Sequence, residues 1–459
     1  MVKHRDRTVR NTHCLRRLVA ALVCAAFLVA PLRAGAQSFI RDAEIEATIQ
    51  AYADPVFKAA NLDAASIDLF LIADDSLNAF VAGGMNMFLH TGLLRASSGP
   101  LEVIGVMAHE AGHIAGGHIA GRRRELQQST GEMLASYALG LAAGVLTGRP
   151  EAGLAAMQLG QGAVISGLLA YTRSQEGSAD QAAATYLKRA AYSPEGLLSF
   201  MKTLQDQQAL LTANQDPYLQ THPLTRDRIS FLENVVATSE HTGKPPPSDL
   251  ERRHARMLAK LDGFLQPPRR TLQQYEVKDS VPARYARSIA HFRNNDLEPA
   301  LAEIDGLIEK HPEDPYFHEL KGQMLYENGR IAESIPPYQK AVDLRPDSSL
   351  LRLALARAQV QRNDPELDPV ALGHLDRVLA EERRNAEAWR LKAIAHGRRG
   401  DKGMSALSLA ESRLARGQLG EARRQSQRAL TMLDENTPPW LRAQDIQREA
   451  ERLMERRQG

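Results

Sequence analysis

The sequence predicts an α+β domain, mostly α-helical, followed by a solenoid of helical repeats. Two observations predict this order. Short apolar runs of strand length lie among helical segments before residue 100. Beyond about residue 270, small residues and prolines recur with a spacing of 34. Because 459 residues exceed what a single hydrophobic core usually organises, two folded units are expected.

The first 36 residues have the pattern of a cleavable secretory signal. A basic stretch precedes an apolar run from Leu18 to Ala30, and small residues follow at 34–36. The apolar run is shorter than the roughly 20 residues that a membrane-spanning helix needs. Cleavage after Ala36 is therefore favoured over an uncleaved anchor, and the chain is expected to be exported.

Both cysteines, Cys14 and Cys24, lie in this leader, so the mature chain is expected to have neither a disulfide nor a catalytic thiol. Cys24 stands inside the apolar run, which disfavours a lipid anchor there. Without the leader's seven Lys or Arg and one Asp, the formal charge changes from +2 to about −4. Nothing in this balance favours nucleic acid as a partner.

Helix and strand patterns alternate at the start of the mature chain. Apolar residues recur at helical spacing from Glu44 to Ala60, and Ser66 to Ala73 then has the pattern of a short strand. Residues 77–94 hold two strand-like runs around Gly83-Gly84, which predicts a β-hairpin. The hairpin is either an ordinary surface feature or, if it borders an active site, an edge that pairs with an extended substrate.

Proline-rich breaks at residues 242–250 and at Pro267-Pro268 indicate a domain boundary near residue 270. Between residues 133 and 170 the chain is rich in Ala, Gly and Leu and is interrupted at Gly148-Arg149-Pro150. Each half is too short and too rich in glycine to span a bilayer. Two buried or surface-dipping helices are expected, and a peripheral contact with a membrane stays open.

The spacing of 34 is typical of tetratricopeptide repeats. Ala300 and Ser334 share it, as do Pro312 and Pro346, and each proline closes a helix pair. Because two independent pairs of positions share the period, an unrelated helical bundle is the less favoured alternative. About four repeats are expected. The second copy is the clearest, with small, aromatic and helix-ending residues at Gly322, Gly329, Tyr338, Ala341 and Pro346.

The segment His109-Glu110-Ala111-Gly112-His113 carries the strongest functional signal. Two histidines four residues apart project from one helix face and can bind a single Zn²⁺, and the glutamate between them is placed to activate the attacking water. Apolar residues at helical spacing precede the motif, so the helix is mostly buried, where purely structural histidines would need other partners. His109 and His113 are the predicted metal ligands, and Glu110 is the predicted catalytic base.

The subclasses of zinc peptidases differ in the residue that provides the third metal ligand. The metzincin pattern requires a histidine at the position of Ile119, but this chain has His118, one residue early, so His118 is predicted to lie outside the ligand set. Glu176 begins another predicted helical run, with Asp180 one turn further on. Glu176 would complete the ligand set, and Asp180 would accept the free ring N–H of a ligating histidine. The alternative is an ordinary acidic pair on a solvated helix.

Four segments, in the order NAFVAGGMNMFLHTGLL, HEAGHIAGGH, EGSAD and THPLTRDR, resemble the gluzincin family that includes the CAAX prenyl protease and HtpX. The leader and the repeats narrow the resemblance to the BepA-like periplasmic branch. The resemblance implies that His109, His113 and Glu176 bind one zinc ion per chain and that Glu110 is catalytic. The predicted organisation is therefore a signal peptide at 1–36, an α+β zincin-type metallopeptidase domain at 37–270 and a tetratricopeptide-repeat domain at 271–459.

One further group of candidate site residues consists of Thr221-His222-Pro223 and Arg228. Taken alone, these residues are most simply a helix-capping threonine and a structural histidine. With the resemblance, His222 and Arg228 are expected to face the zinc pocket. Either could stabilise the oxyanion of the tetrahedral intermediate, or His222 could occupy the open metal position and keep the enzyme inactive.

Together these expectations describe a periplasmic zinc-dependent endopeptidase that degrades unfolded or misassembled envelope proteins. The repeats, which commonly bind other proteins, would deliver substrates or dock the chain on outer-membrane protein assembly machinery. The competing hypothesis is a chaperone or scaffold in which the repeats act and the peptidase site is latent. A weaker rival is a zinc hydrolase that acts on something other than peptides.

Overall fold

The structure is a computed structural model that describes residues 39–147, 150–210, 218, 222–277 and 279–458. The predicted signal peptide, residues 1–36, and Thr221 lie outside this part of the chain. Residues 39–459 form one compact unit.

A four-stranded mixed sheet opens the described chain. Its strands are β1 (Phe39–Ile40), β2 (Leu69–Ile72), β3 (Ala79–Ala82) and β4 (Asn86–His90). The order is β1-β2-β4-β3, with β2 and β4 parallel and the two outer pairs antiparallel. β3 and β4 form the predicted hairpin, and Gly83 and Gly84 make its turn at φ values of +61° and +108°, which glycine adopts without strain. β3 is therefore an edge strand.

The helices that accompany the sheet are α1 (Ala43–Ala59), α2 (Thr91–Ala96), α3 (Pro100–Ala115), α4 (His118–Thr147), α5 (Pro150–Arg189), α6 (Glu195–Leu210), α7 (Arg226–Thr238), α8 (Ser248–Leu265) and α9 (Pro268–Tyr275). Helix α1 begins where the Asp42 carboxylate accepts the backbone N–H groups of Glu44 and Ile45. Its apolar stripe joins Leu71 and Leu89 of the sheet and the apolar residues of α3 in one hydrophobic core. The fold of this part is α+β and mostly helical, as predicted.

Helices α4 and α5 pack against each other as a long helical hairpin. The predicted break lies between the end of α4 at Thr147 and the start of α5 at Pro150. Leu139 and Leu159 are 70% and 77% exposed, so this segment is not buried as a whole. Among the described helices, none has both the length and the apolar character that crossing a membrane requires.

Glu176 does not begin a helix, contrary to the expectation from the sequence. It lies inside α5, which starts at Pro150. Gly177 and Ser178 have weak helix propensity, but the helix continues through them because this part of α5 packs against α3. The segment of α5 around Glu176 is therefore held in helical form by tertiary packing.

In the described chain, ten helices follow, each packed on the next: α10 (Val281–Arg293), α11 (Leu297–Lys310), α12 (Pro315–Glu327), α13 (Ile331–Leu344), α14 (Ser349–Gln361), α15 (Asp368–Glu381), α16 (Ala386–Arg398), α17 (Lys402–Ala415), α18 (Leu419–Leu430) and α19 (Pro438–Gln458). Ala300 and Ser334 are fully buried at matching positions of α11 and α13. A Cβ on Gly322 would lie 2.7 Å from the ring of Tyr338, so the repeat requires a glycine there. The ten helices make five pairs, one more than the four repeats expected.

A buried charge network joins the repeats to the first part of the chain. Lys260 of α8 is fully buried and lies 2.8 Å from Asp42 and 3.5 Å from both Glu44 and Glu319. Tyr285 of α10 donates its hydroxyl to Glu44 at 2.8 Å. Burial alone would lower the pKa of Lys260, but the carboxylates, Asp42 most strongly, raise it well above its usual value. Helix α8 precedes residue 270 and packs on α10, so the chain before residue 270 and the repeats are tightly joined. The domain boundary near residue 270 stays a prediction.

We expect Lys260→Ala to lower the free energy of unfolding by about 3 to 5 kcal/mol, because it leaves buried carboxylates without their cation. Urea denaturation followed by circular dichroism measures this change. Lys340→Ala is the matched control: Lys340 pairs with Glu313 at the surface, at 3.3 Å, and its loss should cost no more than about 1 kcal/mol. Equal effects of the two substitutions would contradict a stabilising role for the network.

Candidate metal centre

Helix α3 carries the His-Glu-Ala-Gly-His motif in a buried position. The helix begins with Pro100, which suits the first helical position because its missing N–H has no partner there. His109 is 0% exposed, Glu110 1% and His113 3%. Two buried imidazoles one turn apart therefore face the same side of the helix, as the spacing predicted.

Four side chains point ligand atoms at one another around this face. His109, His113, Glu176 and His222 each offer one such atom, and all four atoms lie within 4.8 Å of one another. His109 Nε2 is 3.1 Å from His113 Nε2 and 3.3 Å from a Glu176 oxygen. His222 Nδ1 is 3.1 Å from the same carboxylate. The group has the composition and spacing of a site that could hold a metal ion.

Helix α5 reaches the motif because Gly112 has no side chain. A Cβ on Gly112 would lie 2.9 Å from the backbone oxygen of Ala179 and 3.1 Å from its Cα. This close approach brings Glu176 and Asp180, one turn apart on α5, against the two histidines of α3. Any larger residue at position 112 would push the carboxylates away from the imidazoles.

Asp180 links His109 to Arg228. One carboxylate oxygen lies 2.9 Å from His109 Nδ1, so this nitrogen faces an acceptor while Nε2 faces the other ligand atoms. Arg228 of α7 donates two hydrogen bonds to the same carboxylate, at 2.7 and 2.9 Å. Its remaining nitrogen reaches Glu176 at 3.1 Å and the Pro223 carbonyl at 3.1 Å. Three helices and the segment before α7 are thereby tied together.

The pKa values of the cluster reflect these contacts. Burial alone would lower the pKa of His109, but hydrogen bonds to Asp180 and Glu176 raise it to about 9. Burial, with the neighbouring imidazoles of His109 and His222, lowers the pKa of His113. Burial alone would raise the pKa of Glu176, but hydrogen bonds from His109 and His222 hold it below its usual value. Metal ligands must be unprotonated, and these contacts raise the pKa of His109, so metal binding at this histidine would release a proton.

Glu110 and His222 lie next to each other at the cluster, and both are buried. A Glu110 oxygen is 3.5 Å from His222 Nε2. The ring of Tyr218 stacks on His222, with ring centroids 4.6 Å apart and an interplanar angle of 28°. Tyr218 is fully buried, and burial, followed by the negative charge of Glu110, raises the pKa of its phenol well above the usual value. Its hydroxyl therefore stays protonated beside Glu110.

The structure brings all seven predicted residues into one site: His109, Glu110, His113, Glu176, Asp180, His222 and Arg228. Their individual roles stay predictions. Sequence reasoning missed Tyr218, although it precedes His222 by four residues, the spacing of one helical turn. His118 lies behind the ligands, with its Nδ1 3.0 Å from His113 Nδ1 and its Nε2 3.1 Å from the Ser178 hydroxyl.

Comparisons with known proteins agree with this geometry. Residues 40–236 match the model of Peptidase family M48, and residues 285–349 match a tetratricopeptide repeat model. The Beta-barrel assembly-enhancing protease of Escherichia coli is 26% identical over 392 residues, which cover 84% of this chain and 79% of that protein. The protein of the same name from Yersinia pestis is 25% identical over 86% of this chain and 81% of its own. The Metalloprotease YcaL of Escherichia coli is 25% identical over 39% of this chain and 66% of its own.

The buried group of His109, His113, Glu176 and His222, which could hold a metal ion, lies within the match to peptidase family M48 and identifies a metalloprotease. Residues 40–236, which contain the whole site, match peptidase family M48, and tetratricopeptide repeats follow this region. The resemblance drawn from the four sequence segments is thereby confirmed.

We expect His113→Ala to abolish stoichiometric zinc binding, because it removes a ligand atom from the cluster. His118→Ala should keep about one zinc per chain but bind it roughly tenfold more weakly, because an outer contact to His113 is lost. Zinc content after dialysis and competition with a chromogenic chelator measure both effects. An empty site in His118→Ala would mean that His118 is itself a ligand.

Proposed function

We propose that this chain is a zinc-dependent endopeptidase that acts on unfolded or misassembled proteins of the bacterial envelope. The observation that carries the proposal is the buried group of His109, His113, Glu176 and His222 with Glu110 beside it. Three imidazole nitrogens and one carboxylate oxygen form a donor set that suits Zn²⁺ better than Ca²⁺ or Mg²⁺, which prefer oxygen ligands.

The surroundings of the four ligand atoms also favour a bound zinc ion. Four ligand atoms that mainly accept hydrogen bonds converge in a space shielded from water, an arrangement that is costly unless a cation or protons lie between them. His109, His113 and Glu176 are the proposed permanent ligands. When bound there, Zn²⁺ supplies a Lewis acid that polarises a peptide carbonyl and makes water more acidic.

Glu110 is the proposed general base. It is buried on the same helix face as the ligands, in reach of His222 and Tyr218. From this position it takes the proton of the attacking water and passes it to the leaving amine. The hydroxyl of Tyr218, which stays protonated, can donate a hydrogen bond at this side of the site.

Arg228 is proposed as a positioning residue. Its guanidinium is 5% exposed and is engaged by Asp180, Glu176 and the Pro223 carbonyl, so it has little capacity left to bind an oxyanion. Holding the carboxylates in place is therefore better supported for Arg228 than stabilising the oxyanion, the role considered from the sequence. Stabilisation of the oxyanion then falls to His222 or to Tyr218.

The leader, the repeats and the relatives support an envelope role. The predicted signal peptide would export the chain to the periplasm, and two relatives of similar architecture are named as β-barrel assembly-enhancing proteases. The edge strand β3 packs on α3, the helix with the motif, so an extended substrate could add to the sheet beside the site. The repeats would supply the contact to outer-membrane assembly machinery.

A second candidate function is a repeat-based chaperone or scaffold with a latent peptidase site. The position of His222 favours this second function. A catalytic zinc centre has three protein ligands and leaves its fourth coordination position open, whereas His222 would fill that position. His222 would have to leave the ligand group before a substrate carbonyl could enter. Latency and peptidase activity are compatible if substrate binding displaces His222.

We expect Glu110→Gln to lower the rate of casein cleavage at least about a hundredfold, because it removes the base while leaving the ligands in place. Zinc content should stay near one per chain. Glu102→Gln is the matched control on the same helix: Glu102 bonds to Ser98 and Ser199, away from the ligands, and its loss should leave cleavage nearly intact. Full activity of Glu110→Gln would rule out Glu110 as the base.

We expect His222→Ala to increase casein cleavage severalfold if His222 closes the site. If His222 instead stabilises the oxyanion, cleavage should fall by about a hundredfold, the cost of losing one such donor. Gel-based cleavage assays at equal zinc loading separate the two roles. His241→Ala, which removes a histidine bonded to the Lys188 carbonyl outside the site, controls for general destabilisation.

A further inference from the structure

A cleft with a volume of about 760 Å³ lies between the repeats and the helices α1 and α8, and we call it the junction cleft. Its volume is within the range of about 300 to 1,000 Å³ that is typical of ligand sites. None of the seven residues of the metal centre lines it, so the two places are distinct. The apolar and aromatic part of its lining includes Val281, Pro282, Pro312, Pro315, Tyr316 and Phe317.

One tyrosine of this lining has a buried hydroxyl that lacks a hydrogen bond. Tyr316 is 7% exposed, and within the described chain its hydroxyl has no hydrogen-bond partner. Burial raises the pKa of this phenol, so the hydroxyl stays protonated. The charges that act on the phenol include those of Arg345, Glu44 and Arg253, which all line the junction cleft. The hydroxyl is therefore a donor that faces the cleft, and a buried donor without a partner is costly.

Two guanidinium groups flank the ring of Tyr316, each with its central carbon 6.0 Å from the ring centroid. Arg256 is held in place by Glu44 and Asp314, yet its Nε–H is buried and has no partner in the part of the chain that the structure describes. Arg345 is exposed and forms no ion pair with any described residue. Because no ion pair holds Arg345, its side chain is free to turn toward an anion in the cleft.

Carboxylates also line the junction cleft, but four of the five have cationic partners of their own. The fifth, Glu251, is exposed. The pairs are Glu44 and Asp314 with Arg256, Asp249 with Arg252 and Arg253, and Glu313 with Lys340.

Helices α10 and α12 both begin at the junction cleft, where Val281 and Pro315 line it. The positive ends of the two helix dipoles therefore favour a negative charge in the cleft. The one cation there without an ion pair among the described residues is Arg345. A single unpaired cation suits a carboxylate, with one charge, better than a phosphate group, which carries nearly two.

A second cleft, of about 440 Å³, continues from the junction cleft, and the two share Arg253 and Arg345. An acyl chain that extended into this second cleft would meet polar groups there, which is unfavourable, whereas a polypeptide backbone could form hydrogen bonds with them. The combination of the two clefts therefore favours a peptide over a lipid. The polar lining of the second cleft includes Gln50, Asp54, Ser349 and Glu381.

We propose that the junction cleft binds the C-terminal carboxylate of an extended polypeptide whose last side chain is apolar. The carboxylate accepts hydrogen bonds from the Tyr316 hydroxyl and the Arg256 Nε–H, and Arg345 turns to pair with it. The last side chain packs against Phe317 and the prolines, and the preceding residues occupy the second cleft. Capture of a chain terminus by convergent donors is a recurrent mode of peptide recognition. The proposal goes beyond the peptidase function and does not depend on it, because a chain end would be retained whether or not the metal site cleaves it.

The test measures peptide binding by fluorescence anisotropy, with the full chain that carries Glu110→Gln so that hydrolysis does not interfere. The probes are 10-residue peptides, labelled at the N-terminus, that end in leucine as the free acid or as the amide. We expect the amide to bind about tenfold more weakly, the effect of losing a charge-assisted hydrogen bond. An amide with one internal glutamate, which restores the net charge, should bind as weakly. A free acid that ends in serine should also lose about tenfold, because one large apolar side chain is no longer buried.

Arg345→Ala should abolish the tenfold preference for the free acid. Tyr316→Phe should reduce it to about threefold, and the melting temperature should not fall, because the hydroxyl has no partner in the described chain. A purely structural tyrosine would lower the melting temperature instead. Arg330→Ala is the matched control, because Arg330 and Arg345 flank the two ends of α13 and Arg330 pairs with Glu333 at the surface. This control should keep the full preference.

Equal affinity for the free acid and the amide would overturn the proposal, and so would a preference that survives Arg345→Ala or is lost to the same extent in Arg330→Ala. Recovery of binding by the internal glutamate would also overturn it, because the cleft would then attract negative charge without reading a chain end. A fluorescent 12-carbon fatty acid that displaces the peptide and binds more tightly would assign the cleft to an acyl carboxylate instead. Failure of the peptidase function would appear separately, in the casein assay.

Discussion

The approach of α5 to α3 at Gly112 is the constraint on which the site depends. A glycine between the two histidines lets the backbone of α5 pass within contact of the motif helix, and this contact alone places Glu176 and Asp180 against the imidazoles. Arg228 of a third helix then pairs with both carboxylates, which compensates the charge of these two buried acids. Without the packing of these helices the cluster would be an array of uncompensated polar groups.

A second buried charge network also pairs a cation with several carboxylates, but it joins two parts of the chain instead of forming a site. Lys260 and its carboxylate partners fasten α1 and α8 to the repeats, so the peptidase part and the solenoid are held in a fixed relation. A rigid junction matters for a protein that would bind one segment of a substrate with its repeats and present another to the metal site. Load on the repeats would then be transmitted to α1, which packs against α3.

The composition of the donor group limits what the site can do. If His109, His113, Glu176 and His222 all held a metal ion, no position would remain for a substrate oxygen, whereas the proposed peptidase activity needs one. The proposed activity therefore requires His222 to leave the group. Because the ring of Tyr218 stacks on His222, this displacement would also disturb Tyr218.

The sequence by itself determined the class of protein and most of the site. The spacing of His109 and His113, the period of 34 and the glycines of the hairpin are local or periodic signals, and helix and turn geometry convert them directly into structure. What only the tertiary structure decided depends on contacts between distant segments. The continuation of α5 through Glu176, the burial of Lys260 and the stacking of Tyr218 on His222 all arise from packing. So does the mixed order of the sheet, because strand order and register are set by side chains far apart in the chain.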